Sequence, residues 1–276
     1  MVENCVARLW SSTDTLALDY THSRGFSDEL ILKARLGYSL KHDIPRLVIP
    51  SLNHGVYVAI SYRDLRPDIP KDKRWQDIPG GTKGELYLAD CLESGRPTVV
   101  LEAPLDALSV VQTCADLVSV VATGGTNGAK NRKNVMRLAL QDLVFFAFDA
   151  DEAGDKEAQW WLDRLPNARR LRPKLHDAND MLVQGWDIRQ WVIDALQAAG
   201  YSAKPSYPPD QAAEDIVTGE REAISYEQEQ SVSPIAPSLD NERFMSYVRR
   251  IANSLPVPCT IVLQPRGTPL QIGPKK

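Results

Sequence analysis

Between residues 98 and 199, short β-branched or aromatic runs alternate with stretches of helical periodicity. Apolar runs at 98–101, 117–121, 143–148 and 168–171 predict strands, and the apolar spacing over 105–114, 132–140, 152–165 and 188–199 predicts helices. Strand alternating with helix implies parallel pairing with right-handed crossovers, which sends the loops after successive strands to one edge of the sheet. Open α/β sheets bind ligands at that edge.

Residues 1–97 have another rhythm and predict a smaller mixed α/β region. Ser27 caps a short helix over 28–34 that Gly37 ends. Residues 46–49 and 56–62 predict a hairpin around Asn53, His54 and Gly55, with Pro50 cutting the first strand short. Residues 67–84, rich in proline, glycine and charge, predict an exposed loop that carries Trp75, and 85–93 a short helix. Residues 200–276 open on Pro205, Pro208 and Pro209 and run on polar, as a linker and tail do, with one short helix over 241–253 and a strand over 259–263. The expected organisation is therefore 1–97, 98–199 and 200–276.

Composition narrows the setting. A chain of 276 residues, 43% hydrophobic, buries a full core without staples. Cys5, Cys91, Cys114 and Cys259 stand far apart, which favours a reducing compartment and provides no zinc ribbon. The amino terminus lacks the layout of a signal peptide and no apolar run reaches membrane-spanning length, so the expectation is a cytoplasmic protein with no membrane partner. A formal charge of −4 excludes a chain that binds polyanions over its whole surface. Nucleic-acid contact must be local. Basic clusters lie at 63–74, at 130–137 and at Arg169, Arg170, Arg172 and Lys174, each of which serves equally as a solvated face.

The chemistry concentrates at two strand ends. The run at 98–101 delivers Glu102, and Asp106 follows four residues later on the same helix face. The run at 143–148 ends in Asp149 and Asp151, which point the same way in extended backbone, and Gly154 lets chain approach chain as the next helix begins. Three unpaired carboxylates are costly unless a hard cation neutralises them, and oxygen donors suit Mg2+ or Mn2+ rather than zinc. Asp151 alone also suits a helix cap, and Asp106 an ordinary helix face. Gly124, Gly125 and Thr126 belong to TGGTNG at 123–128, which suits a phosphate-cradling turn as well as a plain glycine loop. No Walker A loop is present in the sequence.

EAPLDALS at 102–109, the glycine turn, FDADEAG at 148–154 and HDANDML at 176–182 resemble the successive motifs of a Toprim domain, above all those of DnaG-type bacterial and phage primases. Upstream, YTHSRGFSDELILKARLGY, RLVIPSLNHGVYVAISYRDL and KRWQDIPG resemble the basic subdomain that precedes the Toprim fold there. Together the likeness covers roughly residues 14–195. One departure is Ala103 and Pro104, where the family has glycine after the glutamate; Asp77 stands where an asparagine is usual. The resemblance implies a Toprim-type parallel sheet flanked by helices, preceded by a smaller mixed α/β basic subdomain. It implies Glu102 as metal ligand or general acid-base, Asp149 and Asp151 as metal ligands, Asp106 in support, and Asp177 and Asp180 at a second metal position. It further implies that Arg63, Lys73, Arg74 and Trp75, with Lys130, Arg132 and Lys133, contact nucleotide or polynucleotide.

The expected activity is synthesis of short RNA primers on a single-stranded DNA template from nucleoside triphosphates, in a phage, plasmid or mobile-element replication set. A helicase or other replication protein is the expected partner of the tail. A Toprim nuclease, or an accessory nucleic-acid-binding protein without turnover, are the alternatives.

Overall fold

The structure, a computed structural model, describes residues 1–53, 55–70, 73–82, 84–92, 96–125 and 128–201, with the backbone of Cys259–Val262 and Gln271–Pro274. Its central element is a parallel sheet of β5 (Thr98–Leu101), β6 (Ser119–Ala122), β7 (Val144–Phe146) and β8 (Ala168–Arg170), in the spatial order β6-β5-β7-β8. Strands β5, β6 and β7 are fully buried, mostly β-branched or aromatic runs because both faces are covered, while the edge strand β8 buries only Ala168. Alternation assigns the faces: Val99, Leu101, Val120, Ala122 and Phe145 enter one core cluster, while Val100, Val121, Val144 and Phe146 enter the other.

Helices α4 (Pro104–Cys114), α7 (Ala178–Val183) and α8 (Ile188–Ala198) cover the first face; α5 (Arg132–Ala139) and α6 (Glu152–Leu162) cover the second through Leu138, Ala158 and Trp161. The helix after β5 thus goes to one side of the sheet and the helix after its neighbour β7 to the other. That divergence opens a crevice at the carboxyl ends of β5 and β7.

The first core cluster also takes in Leu9, Ala17, Phe26, Ile31, Leu36, Tyr38 and Leu47, so the amino-terminal region is seated on the α4 face. It holds α1 (Val2–Ser11), α2 (Leu16–Ser23), α3 (Asp28–Lys33) and an antiparallel sheet of β1 (Gly37–Ser39), β2 (Arg46–Asn53), β3 (Val56–Asp64) and β4 (Trp75–Asp77) in sequential order. The Ser27 hydroxyl caps α3 by accepting from the Leu30 N–H.

Four local expectations change. Gly37 does not end α3: Arg35, at a φ of 52°, turns the chain, and Gly37 opens β1 where an added Cβ would lie 2.7 Å from the Cys5 Cβ. Pro50 does not cut β2, because β1 pairs only as far as Val48 and the missing N–H faces no strand on that side. The 67–84 loop contains β4, paired through Arg63 with Trp75. Of residues 85–93, described as far as Leu92, only Ala89–Cys91 make a short 3-10 helix, because Tyr87 exchanges both main-chain bonds with Ala122 on the outer edge of β6 and Leu88 is left-handed at a φ of 59°. Of the tail, β9 (Cys259–Val262) pairs antiparallel with β10 (Gln271–Pro274), and the expected helix over 241–253 lies outside the described residues.

Candidate metal centre and basic wall

Glu102 and Asp149 leave adjacent strands, since Val100 pairs with Phe146 in the parallel register. Asp151 caps α6, its Oδ1 accepting from the Gly154 N–H at 2.7 Å. Gly154 is required there, since a Cβ would fall 2.2 Å from the Asp149 carbonyl oxygen. Asp177 caps α7 in the same way, accepting from the Asp180 N–H at 2.6 Å. Each aspartate keeps a second carboxylate oxygen for other work.

Two arginines hold the strand end that carries these acids. Arg170 donates from Nη1 to the Phe146 and Phe148 carbonyls, both at 2.9 Å, and from Nη2 to the Asp149 carbonyl at 2.7 Å. Its Nε bonds Asp155 at 3.0 Å, and Arg172 closes on the same carboxylate while donating to the Ala150 carbonyl at 2.6 Å. The Ala150 N–H in turn donates to the His176 carbonyl at 2.7 Å. This links the end of β7 to the segment before α7.

Burial and mutual repulsion act on the acids. The Glu102 carboxyl is pushed up to about 7, first by burial and then by the charges of Asp149, Glu157 and Asp151. Asp149 is also raised, chiefly by burial, with His176 opposing the shift. Asp106 lies buried at 7% exposure on α4 and is held well above the carboxylate range by burial and by Asp177 and Asp149, with the Asn179 N–H donating to its Oδ1 at 3.3 Å. Asn179 also donates to the Ser109 hydroxyl and to the Arg24 carbonyl, both at 2.9 Å, tying α7, α4 and the end of α2 together.

The ligand atoms of Asp149, Asp151 and His176 all lie within 4.8 Å of one another. Two carboxylates and an imidazole beside a repelled glutamate fit a divalent cation; Mg2+ and Mn2+ accept such a set, and the imidazole makes it acceptable to zinc as well. The expected residues therefore separate. Glu102, Asp149, Asp151, Asp106 and Asp177 act on one another, whereas Asp180 is absent from the principal charges acting on Glu102, Asp106 and Asp149. Gly124 and Gly125 take positive φ at 66° and 124° with open space where a Cβ would be, and the Gly124 N–H donates to the Glu102 carbonyl at 3.0 Å. Thr126 lies outside the described residues.

The basic residues separate too. Arg63 lies over the rings of Tyr20 and Trp75, each centroid 5.2 Å away, and Trp75 is 36% exposed. Arg24 and Arg74 both lower the Arg63 pKa, after burial, so the three guanidinium groups form one wall; Arg24 also opposes the rise at Asp106. Arg74 donates to the Ile69 and Pro67 carbonyls, which braces the loop, and Lys73 is exposed beside it. On the other side, Lys130 pairs with the buried Glu157 at 2.6 Å and Lys133 with Glu85, leaving Arg132 exposed.

Sequence reasoning assigned no site role to His176, Glu157, Arg170, Tyr20 or Arg24, although Arg170 lies in a basic cluster, His176 opens HDANDML, and Tyr20 and Arg24 stand four apart in YTHSRGF at the end of α2.

Residues 99–182 match the Toprim-like family. A DNA helicase/primase of Enterobacteria phage T3 is 27% identical over 216 residues, 71% of this chain and 36% of that protein, so the chain spans about a third of its relative's length. The crystal structure of the primase fragment of the bacteriophage T7 primase-helicase protein is 25% identical with a TM-score of 0.52, over 63% of this chain and 72% of that one. The RNA polymerase domain of Mycobacterium tuberculosis primase DnaG has a TM-score of 0.58 over 93% of this chain and 91% of that one; at 16% identity this is a likeness of fold.

Proposed function

We propose that this chain, which carries a Toprim-like domain on the fold of primase catalytic cores, is a DNA primase-type nucleotidyltransferase that extends short RNA primers on single-stranded DNA. The observation that carries the reading is the meeting of Glu102, Asp149 and Asp151 at adjoining strand ends, with Arg24, which acts on Asp106, joining this acidic side to Arg63 and Arg74. Toprim domains bind Mg2+ as a class, and Asp149, Asp151 and Glu102 would hold the cation, with Asp177 beside them. A bound divalent cation supplies charge neutralisation at the triphosphate and lowers the pKa of a primer 3′-hydroxyl.

The chain's own groups do the rest. In the cation-free site Glu102 is raised to about 7 by burial and neighbouring carboxylates; a cation beside it would offset that repulsion and leave it ionised as a ligand. Arg63 with Tyr20 and Trp75 offers a cationic and aromatic surface of the kind on which single-stranded backbone and bases rest. Lys73, Arg74 and Arg132 extend the positive field, while Lys130 and Lys133 act mainly within the fold through Glu157 and Glu85. Residues 1–97 and 98–199 would then be the two lobes of one catalytic unit, and residues 200–276 the recruitment segment for a helicase or other replication protein.

The test is incubation with labelled ribonucleoside triphosphates, a single-stranded template and Mg2+ or Mn2+. Templated short RNA that is lost at least ~1,000-fold in Asp149→Asn supports the reading. Shortening of the DNA without nucleotides indicates a nuclease, and binding without either reaction indicates an accessory protein; both results reject it.

A further inference from the structure

We infer that His176 is a nitrogen ligand of the cation site and biases it toward first-row transition ions such as Mn2+ over Mg2+. The inference rests on the reading of Asp149 and Asp151 as cation ligands. Three observations support it. An imidazole nitrogen of His176 and one carboxylate oxygen from each aspartate all lie within 4.8 Å of one another, close to the roughly 4.2 Å that separates opposite ligands bonded at about 2.1 Å, so a small shift of these side chains closes them on one ion. Its Nδ1 stands 3.6 Å from Asp149 Oδ2, beyond a good hydrogen bond, so the pair is adjacent without being closed on itself. Finally, the position is built into the fold: the His176 carbonyl accepts from the Ala150 N–H between the two aspartates, and Arg172 holds the Ala150 carbonyl.

Ligand softness then decides the preference. Mg2+ favours an all-oxygen octahedron and gives up water reluctantly, whereas the affinity of mixed nitrogen and oxygen sites rises along the first transition row. An imidazole among carboxylates should therefore separate Mn2+ from Mg2+ in a way that an all-carboxylate site does not. The side chain is 58% exposed, so replacing it leaves the core untouched.

The alternative is that His176 is a protonated counter-charge. It would then compete with any cation, and its removal would strengthen Mn2+ and Mg2+ alike. Calorimetric titration of the full chain with MnCl2 and with MgCl2, in the parent, His176→Ala, His176→Gln and Asp149→Asn, separates these cases. The expected result is Mn2+ bound about 10-fold more tightly than Mg2+ by the parent, an approximately 10-fold loss of Mn2+ affinity in both histidine variants, and Mg2+ affinity held within about 3-fold. In NMR spectra, Mn2+ should broaden one of the four histidine ring resonances first, and that resonance should be missing from His176→Ala. If Asp149→Asn abolishes binding while the histidine variants shift both ions equally, in either direction or not at all, the nitrogen ligand is rejected and the carboxylate site stands. If the parent binds neither ion, or Asp149→Asn binds both unchanged, the carboxylate site fails and the inference with it.

Discussion

In the α/β region, Lys130, Lys133, Arg137, Arg170, Arg172 and Arg189 each close on a carboxylate, whereas Arg24 and Arg63 of the amino-terminal region have no carboxylate in ion-pair contact among the described residues. Arg63 lies instead between two aromatic rings, and the Arg24 Nε is buried without a partner. The acids opposite them are equally incomplete, with Glu102, Asp106 and Asp149 all raised by burial and by one another's company. A positive run in sequence thus says little by itself; what decides is whether the fold supplies its counter-charge. Arg170 and Arg172 of the α/β region hold the site in shape, whereas in the amino-terminal region Lys33, Arg35 and Arg66 close on carboxylates and Arg24 and Arg63 stand available to a phosphate-bearing ligand.

The strongest way to break this comparison is to disarm a structural arginine. Arg170→Met removes the donors to three carbonyls at the end of β7 while keeping most of the apolar stem. Denaturant unfolding should show a loss of about 1–3 kcal/mol, since the carbonyls of the buried residues Phe146 and Phe148 are left without this donor. Cation affinity should fall with it, because Asp149 is no longer held. An unchanged unfolding midpoint would place Arg170 among the surface charges instead.

Arg63→Ala should do the reverse. Stability changes by about 1 kcal/mol, the scale of the cation–π contacts of a half-buried guanidinium. Binding of single-stranded DNA weakens about 10-fold at low salt, and the slope of log affinity against log salt drops by roughly 0.7, the share of one released counterion. Lys133→Ala, which removes a charge paired with Glu85, leaves that slope in place. Equal slopes for the two variants would erase the distinction between the two regions.

The legible parts of the sequence were those where local chemistry and tertiary role coincide. Strands β5 and β7 announced themselves as apolar runs cut by acids, and Ser27 and Asp151 sit as side-chain caps where their helices begin; Asn131, Asp177 and Asp187 cap in the same way without having been singled out for it. Helices α1 and α2 went unread because neither has a side-chain cap and each buries only two residues, although Val2, Cys5, Val6, Leu9 and Trp10 of α1 recur at helical spacing; α2 carries no comparable stripe. Strand β4 is three exposed residues recruited by β3, and nothing in its own composition demands a strand. The acidic site was legible as carboxylates, yet the histidine beside them and the arginines behind them were not, because His176 and Arg170 meet their side-chain partners 15 or more residues away. Pairing across the fold, rather than residue type, separated Lys130 from Arg63.

The smallest expected effect tests whether the acids are as incomplete as the arginines that face them. Glu102 is raised from an ordinary 4.5 to about 7, so below pH 4.5 it is protonated in both folded and unfolded chains and its contribution to stability is complete. Between those values the unfolded chain ionises first, and the contribution is lost as pH rises through 7. Asp149 and His176, both raised, act in the same direction, whereas Asp64 and Asp155, both lowered, act only at lower pH. In chelator, the melting temperature should therefore fall between pH 5 and about pH 7.5. Glu102→Gln should flatten this slope and stabilise the metal-free protein at the upper end by about 1 kcal/mol, once solvent screening of a half-exposed group is allowed for. Saturating Mn2+ should raise the melting temperature of the parent at pH 7.5 by mass action and do so less in the variant. A slope in chelator that is identical for parent and variant would mean that Glu102 is already neutralised within the fold, and the site would then lack the charge deficit on which the comparison depends.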